Sequence, residues 1–355
     1  MMHHLRNVIS PCLALGNGTH RNPKMPMLEM SNGVQMPALG LGTFQTTDQE
    51  EMNTTISGAL DSGYRLIDTA TMYANEQLIG NALQSYFEQH KNGKKRDIIK
   101  REDIFITTKL YFFHMQPKWA EYMIQESLKN LQVDYIDLYL IHAPFAFKCN
   151  EFGDPIVVNG KFVNDYVPII DTWRVLEKYY KLGKLKCIGV SNFNRQQLLA
   201  LYEQAEIKPQ NLQIEANILH QNKDIIDLCH QMNITVTGYC TLGSPRRRDA
   251  KLPGNWPEAD CLNHPLTIEL SRKYGKAPAQ ILLKREIQRN IAVIPKSSNP
   301  TRLRENIDLF DFHISDWDMQ RMDKIDEKIR IFLIDFAAQH PEFPWREDLP
   351  KGVVY

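Results

Sequence analysis

The chain has 355 residues, 43% hydrophobic and 24% charged, so it can bury the core of one large α/β barrel or of two smaller domains. Lysine plus arginine equals aspartate plus glutamate at 42 each, which excludes the basic field that attracts nucleic acid or an anionic membrane. We therefore expect a small-molecule partner, with no nucleic-acid or membrane partner.

The cysteine pattern and hydropathy point to an intracellular protein. The six cysteines are dispersed, with no C-x-x-C pair and no His/Cys cluster at metal-ligand spacing, so we predict no metal site. No apolar run approaches the roughly 18 residues of a membrane span, and the first residues lack the apolar core of a secretory signal. We expect a soluble, cytoplasmic monomer.

We interpret residues 1–27 as a disordered extension and 28–355 as a single domain. The first 28 residues are basic and contain no acidic residue, a feature shared with organelle transit peptides. Three prolines among scattered apolar residues oppose the amphipathic helix that such a peptide forms. The extension is therefore the preferred interpretation.

The first predicted element is a short hairpin, in which the apolar runs 28–30 and 34–36 flank Asn32-Gly33. We expect it to plug one end of the domain. A first strand follows over 38–44, and Thr47 with Glu50 predicts a capping box for a helix that runs to Gly63. The glycines of the strand lack the third glycine of a dinucleotide fingerprint, so we predict no Rossmann unit.

Strand and helix patterns then alternate to the end of the chain. Further strands are predicted at 65–68, 103–109, 135–142, 185–191, 211–216, 234–240 and 291–295. Helices are predicted at 75–90, 117–131, 169–182, 195–206, 222–232, 264–274, 277–288 and 300–310. Eight strands, each followed by a helix, indicate a closed (β/α)8 TIM barrel.

Two connections and the C-terminal tail depart from this regular pattern. The segments 144–168 and 243–264 both follow a strand exit, and loops of this length in a compact domain are usually functional. The tail after Ile331 contains several aromatic residues, which is unusual for a solvated segment. We expect the loops and the tail to cover the same mouth of the barrel.

Four titratable residues lie at predicted strand exits: Asp68, Tyr73, Lys109 and His142. Taken singly, each is more simply a turn, rim or surfacing residue. Their recurrence at successive exits changes the interpretation, because a parallel barrel gathers its strand exits around one mouth. We predict a catalytic site there.

These residues belong to motifs that resemble the aldo-keto reductases. The motifs are GLGTFQ at 40–45, DTATMYANE at 68–76, TTKL at 107–110, LYLIHAP at 138–144, GVSNFN at 189–194 and IPKSSNPTRLRENI at 294–307. The resemblance covers nearly all of 28–345 and implies a barrel that reduces aldehydes and ketones with NADPH. It also implies that Asp68, Tyr73, Lys109 and His142 form the catalytic tetrad, with Tyr73 as the proton donor.

The resemblance implies the cofactor residues as well. The nicotinamide would be held by Ser191, Asn192 and Gln213 and stacked on Tyr239. The adenosine 2′-phosphate would meet Lys296, Ser297, Asn299 and Arg302, and adenine would meet Glu305 and Asn306. The other cofactor-binding positions that match the family are Gly42, Thr43, Phe44, Leu242 and Ser244.

The phosphate site also follows from the residues alone. Lys296 lies at the eighth strand exit, and a helix opens at Pro300 with Arg302 in its first turn. Two cations, a hydroxyl and a helix N-terminus suit an anion, although an ordinary charged surface helix explains the same pattern. NADP over NAD is the expected preference.

The predicted substrate pocket contains one departure from many relatives, which carry tryptophan after the catalytic histidine where this chain has Ala143. The sequence therefore predicts an apolar pocket that is roomier beside His142, suited to aromatic and medium-chain aldehydes. Its predicted lining is Phe44, Ala143, Phe145, Phe343 and Trp345. Loop or tail aromatics that refill the space are the alternative.

Two other functions remain compatible with the sequence. One is a Schiff-base aldolase that uses Lys109, because a lysine at a barrel strand exit suits that chemistry too. The other is a non-catalytic barrel that binds NADPH to regulate a partner. The physiological carbonyl compound and the direction of the reaction are not determined by the sequence.

Overall fold

The structure is a computed structural model that describes residues 25–91, 98–250 and 256–350. Most of the predicted disordered extension, residues 1–27, lies outside this range, so its disorder remains a prediction. Its last residue, Met27, already belongs to the first strand.

The described part of the chain contains fourteen strands and ten α-helices. The strands are β1 (Met27–Glu29), β2 (Gln35–Pro37), β3 (Leu41–Gly42), β4 (Leu66–Asp68), β5 (Phe105–Leu110), β6 (Ile136–Ile141), β7 (Ala146–Phe147), β8 (Val157–Val158), β9 (Lys161–Phe162), β10 (Asn164–Asp165), β11 (Leu185–Ser191), β12 (Asn211–Glu215), β13 (Thr235–Tyr239) and β14 (Ile291–Val293). The helices are α1 (Gln49–Asp61), α2 (Glu76–His90), α3 (Pro117–Leu131), α4 (Ile169–Lys181), α5 (Arg195–Gln204), α6 (Lys223–Gln231), α7 (Pro265–Tyr274), α8 (Pro278–Gln288), α9 (Pro300–Ile307) and α10 (Asp316–Asp323).

Eight of these strands close into a barrel. β3, β4, β5, β6, β11, β12, β13 and β14 pair in chain order, and every pair is parallel. Parallel bridges from Leu39 to Val293 and from Gly42 to Lys296 join the first strand to the last. The Gly40 N–H also donates to the Val293 carbonyl at 2.8 Å. The predicted (β/α)8 barrel is confirmed.

The barrel strands are buried on both faces, as expected for a parallel sheet covered by helices. All six residues of β5 are buried, although Thr107, Thr108 and Lys109 are polar. Successive side chains alternate between the two faces, so Thr108 points outward to Glu76 of α2 while Lys109 points into the barrel. Thr108 and Lys109 therefore each have a polar partner on the face that they point to.

Two helix predictions need correction. The predicted capping box at Thr47 and Glu50 is wrong, because Asp48 is the N-cap of α1 and its carboxylate accepts the Glu51 N–H at 2.8 Å. Helix α10 was missed, although Ser315 caps it through the Asp318 N–H. The sequence signal was Ser315 three residues before Asp318, which resembles a capping box.

The N-terminal hairpin plugs the strand-entry end of the barrel. β1 and β2 pair antiparallel, and the Asn32 amide donates to the Lys186 carbonyl near the start of β11 at 3.0 Å. Of the two turn residues, only Gly33 takes positive φ, at +84°. The plug prediction is confirmed, with the positive φ on glycine alone.

The long connection after β6 is ordered by two small hairpins that the sequence did not predict. β7 pairs with β10, and β8 pairs with β9. The C-terminal tail packs on this loop, where the His340 Nε2 lies 3.0 Å from the Asp165 carbonyl oxygen and the ring of Phe336 lies 6.2 Å from that of Phe147. The prediction that this loop and the tail cover the strand-exit face is confirmed, whereas the other predicted loop, 243–264, contains residues 251–255, which lie outside the described ranges. No helix in the described ranges is long and apolar enough to cross a membrane.

Glu76, at the start of α2, is a buried carboxyl group whose raised pKa can be tested. Its carboxyl is buried and accepts a hydrogen bond from the Thr108 hydroxyl at 2.6 Å. Burial raises the pKa of Glu76 from 4.5 to about 7, against the hydrogen bonds that lower it. The folded state therefore holds this proton more tightly than the unfolded state, and stability is lost as pH rises through roughly 4.5 to 7.

We predict that Glu76→Gln, which stays neutral, becomes more stable relative to wild type as pH rises. The difference in unfolding free energy between the two proteins should shift by roughly 2–3 kcal/mol in favour of the variant from pH 5 to pH 8. Urea unfolding at both pH values measures it, with Glu203→Gln on the exposed face of α5 as control. An unchanged difference would show that Glu76 is ionised in the fold at pH 5.

Candidate active site

The strand register brings three of the four predicted catalytic residues to one mouth. Asp68 ends β4 and pairs with Thr107 of β5, so Lys109 stands two residues further along. Lys109 in turn pairs with Leu140 of β6, and His142 again follows two residues later. Steps of two residues keep the side chains on the same face of the sheet. The three groups therefore converge inside the barrel.

Lys109 and Asp68 form a buried ion pair. The amine donates to the Asp68 Oδ1 at 2.6 Å and to the Thr69 carbonyl at 2.8 Å. The Lys109 side chain is completely buried and that of Asp68 is 3% exposed. The Gln213 amide donates to the other carboxylate oxygen at 2.8 Å. Each charge is thus met by a hydrogen-bonding partner, which buried charges require.

The electrostatics keep this pair ionised. Burial raises the pKa of Asp68, but both of its side-chain partners are donors, and they favour the carboxylate. Burial alone would lower the pKa of Lys109, yet the negative charge of Asp68 and the hydrogen bonds with Asp68 and Tyr73 raise it. A protonated Lys109 beside a carboxylate is the state that we assign at neutral pH.

Tyr73 lies directly above the amine. It ends a 3-10 turn at Thr71–Tyr73, and Ala74 then takes the left-handed conformation with φ +52°. The Lys109 Nζ lies 5.1 Å from the centroid of the Tyr73 ring. Burial raises the pKa of Tyr73, and the charge of Lys109 opposes that rise. The phenol is therefore protonated at rest, with a cation placed to stabilise its anion.

His142 faces Tyr73 across the mouth and is neutral. The two ring centroids are 5.9 Å apart in an edge-on arrangement. Burial and the nearby Lys109 charge hold the pKa of His142 well below 6.5. Its Nδ1 is buried without a hydrogen-bond partner. A neutral imidazole can donate one hydrogen bond, which suits it to orient a carbonyl oxygen.

The residues predicted to hold the nicotinamide lie together beside this tetrad. The Asn192 amide donates to the His142 carbonyl at 2.9 Å, and the Tyr239 hydroxyl donates to the Asn192 Oδ1 at 2.7 Å. Ser191 pairs with Gln213 across β11 and β12, and the Ser191 Oγ is buried without a partner. The Ser191 hydroxyl is therefore free to bind a polar group of a ligand at this place.

The residues predicted to bind the 2′-phosphate surround the start of α9. Lys296, Asn299 and Arg302 are exposed, whereas Ser297 is buried. Of the two residues predicted to meet adenine, Glu305 is exposed and Asn306 is buried. The predicted contribution of the helix N-terminus needs revision, because the Asn299 side chain already accepts the N–H groups of Thr301 and Arg302. The charge available to an anion is therefore that of the Lys296 and Arg302 side chains.

The remaining predicted cofactor positions lie at the exits of β3 and β13. Gly42 ends β3, and the Thr43 N–H and hydroxyl both bind the Asp68 carbonyl, at 3.1 and 2.9 Å. Leu242 and Gly243 line an open groove of about 620 Å³ next to the half-buried Ser244. Among the described residues, no group of three His, Cys, Asp or Glu side chains is arranged to hold a metal ion.

The predicted pocket residues divide into two groups. Phe44 is half-buried and packs on Tyr73 at 5.0 Å between ring centroids. Ala143, Phe145, Phe343 and Trp345 are each at most 4% exposed and belong to one closed aromatic cluster. The structure therefore favours the alternative in which loop and tail aromatics fill the space beside Ala143.

The apolar side chains that remain half-buried at the mouth are a different set. They are Met72, Tyr111, Ile334 and Phe336, which pack against the closed cluster, and Phe332, which packs on Tyr239. The sequence analysis missed Tyr111. Its position in the sequence could have identified it, because a residue two positions after Lys109 points to the same face of the strand as Lys109 does.

Comparisons with known proteins agree with this geometry. The model of the Aldo/keto reductase family matches residues 38–327. Estradiol 17 beta-dehydrogenase 5 of Mus musculus is 35% identical over 92% of this chain and 99% of its own length. Aldo-keto reductase family 1 member C15 of Rattus norvegicus is 34% identical over 90% and 97%. A solved structure, the aldose reductase from Schistosoma japonicum, is 35% identical with a TM-score of 0.81, covering 92% of this chain and 100% of that one.

The buried ion pair leads to a prediction about stability. Lys109→Met leaves the Asp68 carboxylate buried with no cation, which should destabilise the fold by about 3–5 kcal/mol. Adding Asp68→Asn removes the orphaned charge, so the double variant should be more stable than the sum of the two single effects predicts. Urea unfolding of the four proteins measures the coupling. Additive losses would mean that the pair is not ionised together.

Proposed function

The chain belongs to the aldo/keto reductase family, and we propose that it reduces aldehydes and ketones to alcohols with NADPH, with Tyr73 as the proton donor. Membership of the family makes it an oxidoreductase that acts on carbonyl and CH–OH groups. The observation that carries the assignment of Tyr73 is the ion-paired, fully buried Lys109 amine beneath the phenol ring.

The proton step follows from the electrostatics. Hydride addition to a carbonyl carbon leaves an alkoxide, which requires a proton from a positioned acid. The Tyr73 phenol holds its proton at neutral pH because burial raises its pKa. As the proton leaves, negative charge develops on the phenol oxygen, and Lys109 stabilises it. Asp68 keeps Lys109 charged and in place.

His142 orients the carbonyl group. Because it is neutral, it competes little with Tyr73 as a proton donor, and its hydrogen bond can position the substrate oxygen beside the phenol. The Asn192 amide holds the backbone of His142 through its carbonyl oxygen. The same asparagine binds the Tyr239 hydroxyl, so substrate and nicotinamide contacts are linked through one side chain.

The described residues fit a dinucleotide cofactor. NADPH supplies the hydride when it is bound. The unpaired Ser191 hydroxyl, together with Asn192, Gln213 and Tyr239, would hold its nicotinamide end at the mouth. At the other end, the exposed Lys296 would bind the 2′-phosphate. The Lys296 amine lies 3.6 Å from the Glu51 carboxylate, and the phosphate would replace that carboxylate as its partner.

The aldolase alternative requires a neutral amine, because a Schiff base forms by nucleophilic attack of unprotonated lysine. The raised pKa of Lys109 and its ion pair with Asp68 act against that state. Family membership supports the reductase over both alternatives. We also propose that the protein acts as a monomer in the cytoplasm.

We predict that Tyr73→Phe lowers kcat by about 10² to 10⁴, because the positioned acid is lost while the ring packing survives. The Kd for NADPH should remain nearly unchanged, since the ring still packs on Phe44. NADPH oxidation with a good aldehyde and fluorescence titration of NADPH measure the two quantities. Tyr111→Phe, a tyrosine at the same mouth, is the matched control. Near wild-type turnover of Tyr73→Phe would exclude Tyr73 as the donor.

We also predict a preference for NADPH over NADH that depends on Lys296 and Arg302. Each charged hydrogen bond to the 2′-phosphate should contribute roughly 1.5–3 kcal/mol, which is about a tenfold preference or more per residue. Lys296→Met and Arg302→Met should therefore weaken NADPH binding and leave NADH binding unchanged. Arg304→Met, on the same helix, is the control. Equal Kd values for the two cofactors in wild type would contradict this assignment.

A further inference from the structure

Glu215 is a buried carboxylate that the tetrad does not use. It ends β12 and is 0% exposed. Its Oε1 accepts the Ile331 N–H and its Oε2 accepts the Phe332 N–H, both at 2.8 Å. The Asn217 amide donates a third hydrogen bond at 3.0 Å. A carboxylate accepts only, and the start of the C-terminal tail supplies two successive donors.

A second group of charges connects the start of the tail to its end. Arg330 is 8% exposed and pairs with Asp348 at 2.6 Å. Its guanidinium also lies 3.9 Å from the ring centroid of Trp345. The charge of Arg330 opposes the burial penalty on the Glu215 carboxylate. The first and last parts of the tail are thus held at one place beside the barrel.

The segment held by Glu215 carries the apolar side chains of the mouth. Phe332 packs edge-on against the Tyr239 ring at 5.9 Å between centroids. Ile334 and Phe336 follow in the same cluster as Tyr111, which lies two residues beyond Lys109. The position of these side chains over the site therefore depends on the contact between Glu215 and the start of the tail.

We propose that Glu215 is a positioning residue that sets substrate selectivity, by holding the tail as an apolar wall for carbonyl compounds with a hydrocarbon chain or ring. The inference depends on the proposed reductase function and names its substrate class. Two charge-assisted hydrogen bonds to consecutive backbone groups fix the tail where it leaves the barrel. A loosened tail would no longer offer a fixed apolar surface to a substrate chain.

A matched control exists in the same chain. Glu177 of α4 is also buried, and its Oε1 accepts two consecutive backbone N–H groups, from Glu206 at 2.7 Å and Ile207 at 2.9 Å. These groups precede β12, at the strand-entry side of the barrel. Glu177→Gln therefore removes the same kind of interaction away from the mouth.

The experiment measures kcat/KM with NADPH along a series of aldehydes from propanal to decanal. In wild type, each added methylene should raise kcat/KM roughly two- to fourfold while the chain lies against the wall. Glu215→Gln should lose most of this increment through KM, with propanal activity and the Kd for NADPH within about threefold of wild type. Glu177→Gln should lose thermal stability but keep the wild-type increment. If Glu215→Gln does not fold, Glu215→Asp, which keeps the charge and shortens the reach, is measured instead.

Two kinetic results would overturn the proposal. One is a wild-type increment in the Glu215 variant, which would leave Glu215 with a stability role only. The other is an equal loss for propanal and decanal, which would place its effect on the cofactor or the tetrad. Amide hydrogen exchange at Ile331 and Phe332 should rise in Glu215→Gln and not in Glu177→Gln, and unchanged exchange also refutes the proposal. A wild-type protein that reduces no aldehyde at all would refute the reductase function instead, and the exchange measurement distinguishes the two failures.

Discussion

The buried contact between Lys109 and Asp68 is the interaction on which the mouth of this barrel depends. Two charges removed from water are tolerated only when each is paired and hydrogen-bonded. Here the amine binds a carboxylate oxygen and the Thr69 carbonyl, and the Gln213 amide binds the other oxygen. Three different strands must keep their register for these contacts to form. The charge arrangement at the mouth and the strand register of the barrel therefore constrain each other.

The same pair decides how the neighbouring groups behave. A fixed positive charge below the phenol opposes the burial that raises the pKa of Tyr73, and it adds to the burial that lowers the pKa of His142. One cation thus favours the ionised form of the tyrosine and the neutral form of the imidazole. The different pKa shifts of Tyr73 and His142 thus come from the same Lys109 charge and the same buried surroundings.

Buried carboxylates recur as attachment points for backbone in this protein. Glu215 binds two consecutive N–H groups of the tail, and Glu177 binds two consecutive N–H groups after α5. A loop has no neighbouring strand to accept hydrogen bonds from its backbone N–H groups. A buried carboxylate can accept them instead, and it then also fixes the position of the loop. At the mouth, this arrangement gives an otherwise irregular tail a defined position next to Tyr239.

The sequence by itself predicted the barrel, because strand and helix periodicity is a local property of the chain. Its motifs resembled the family to which the chain belongs, and its residue order placed Asp68, Lys109 and His142 at strand exits. It also indicated that the aromatic tail folds back. Only the tertiary structure decided that Ala143 lies in a closed cluster, that Tyr111 and Phe336 remain half-buried at the mouth, and that Asn299 already caps α9. Each of these depends on which distant segment packs there or on which atom a side chain meets, and residue type and spacing do not specify such contacts. The partners of Glu215 show the same limit, since 116 residues separate it from the Ile331 N–H that it binds.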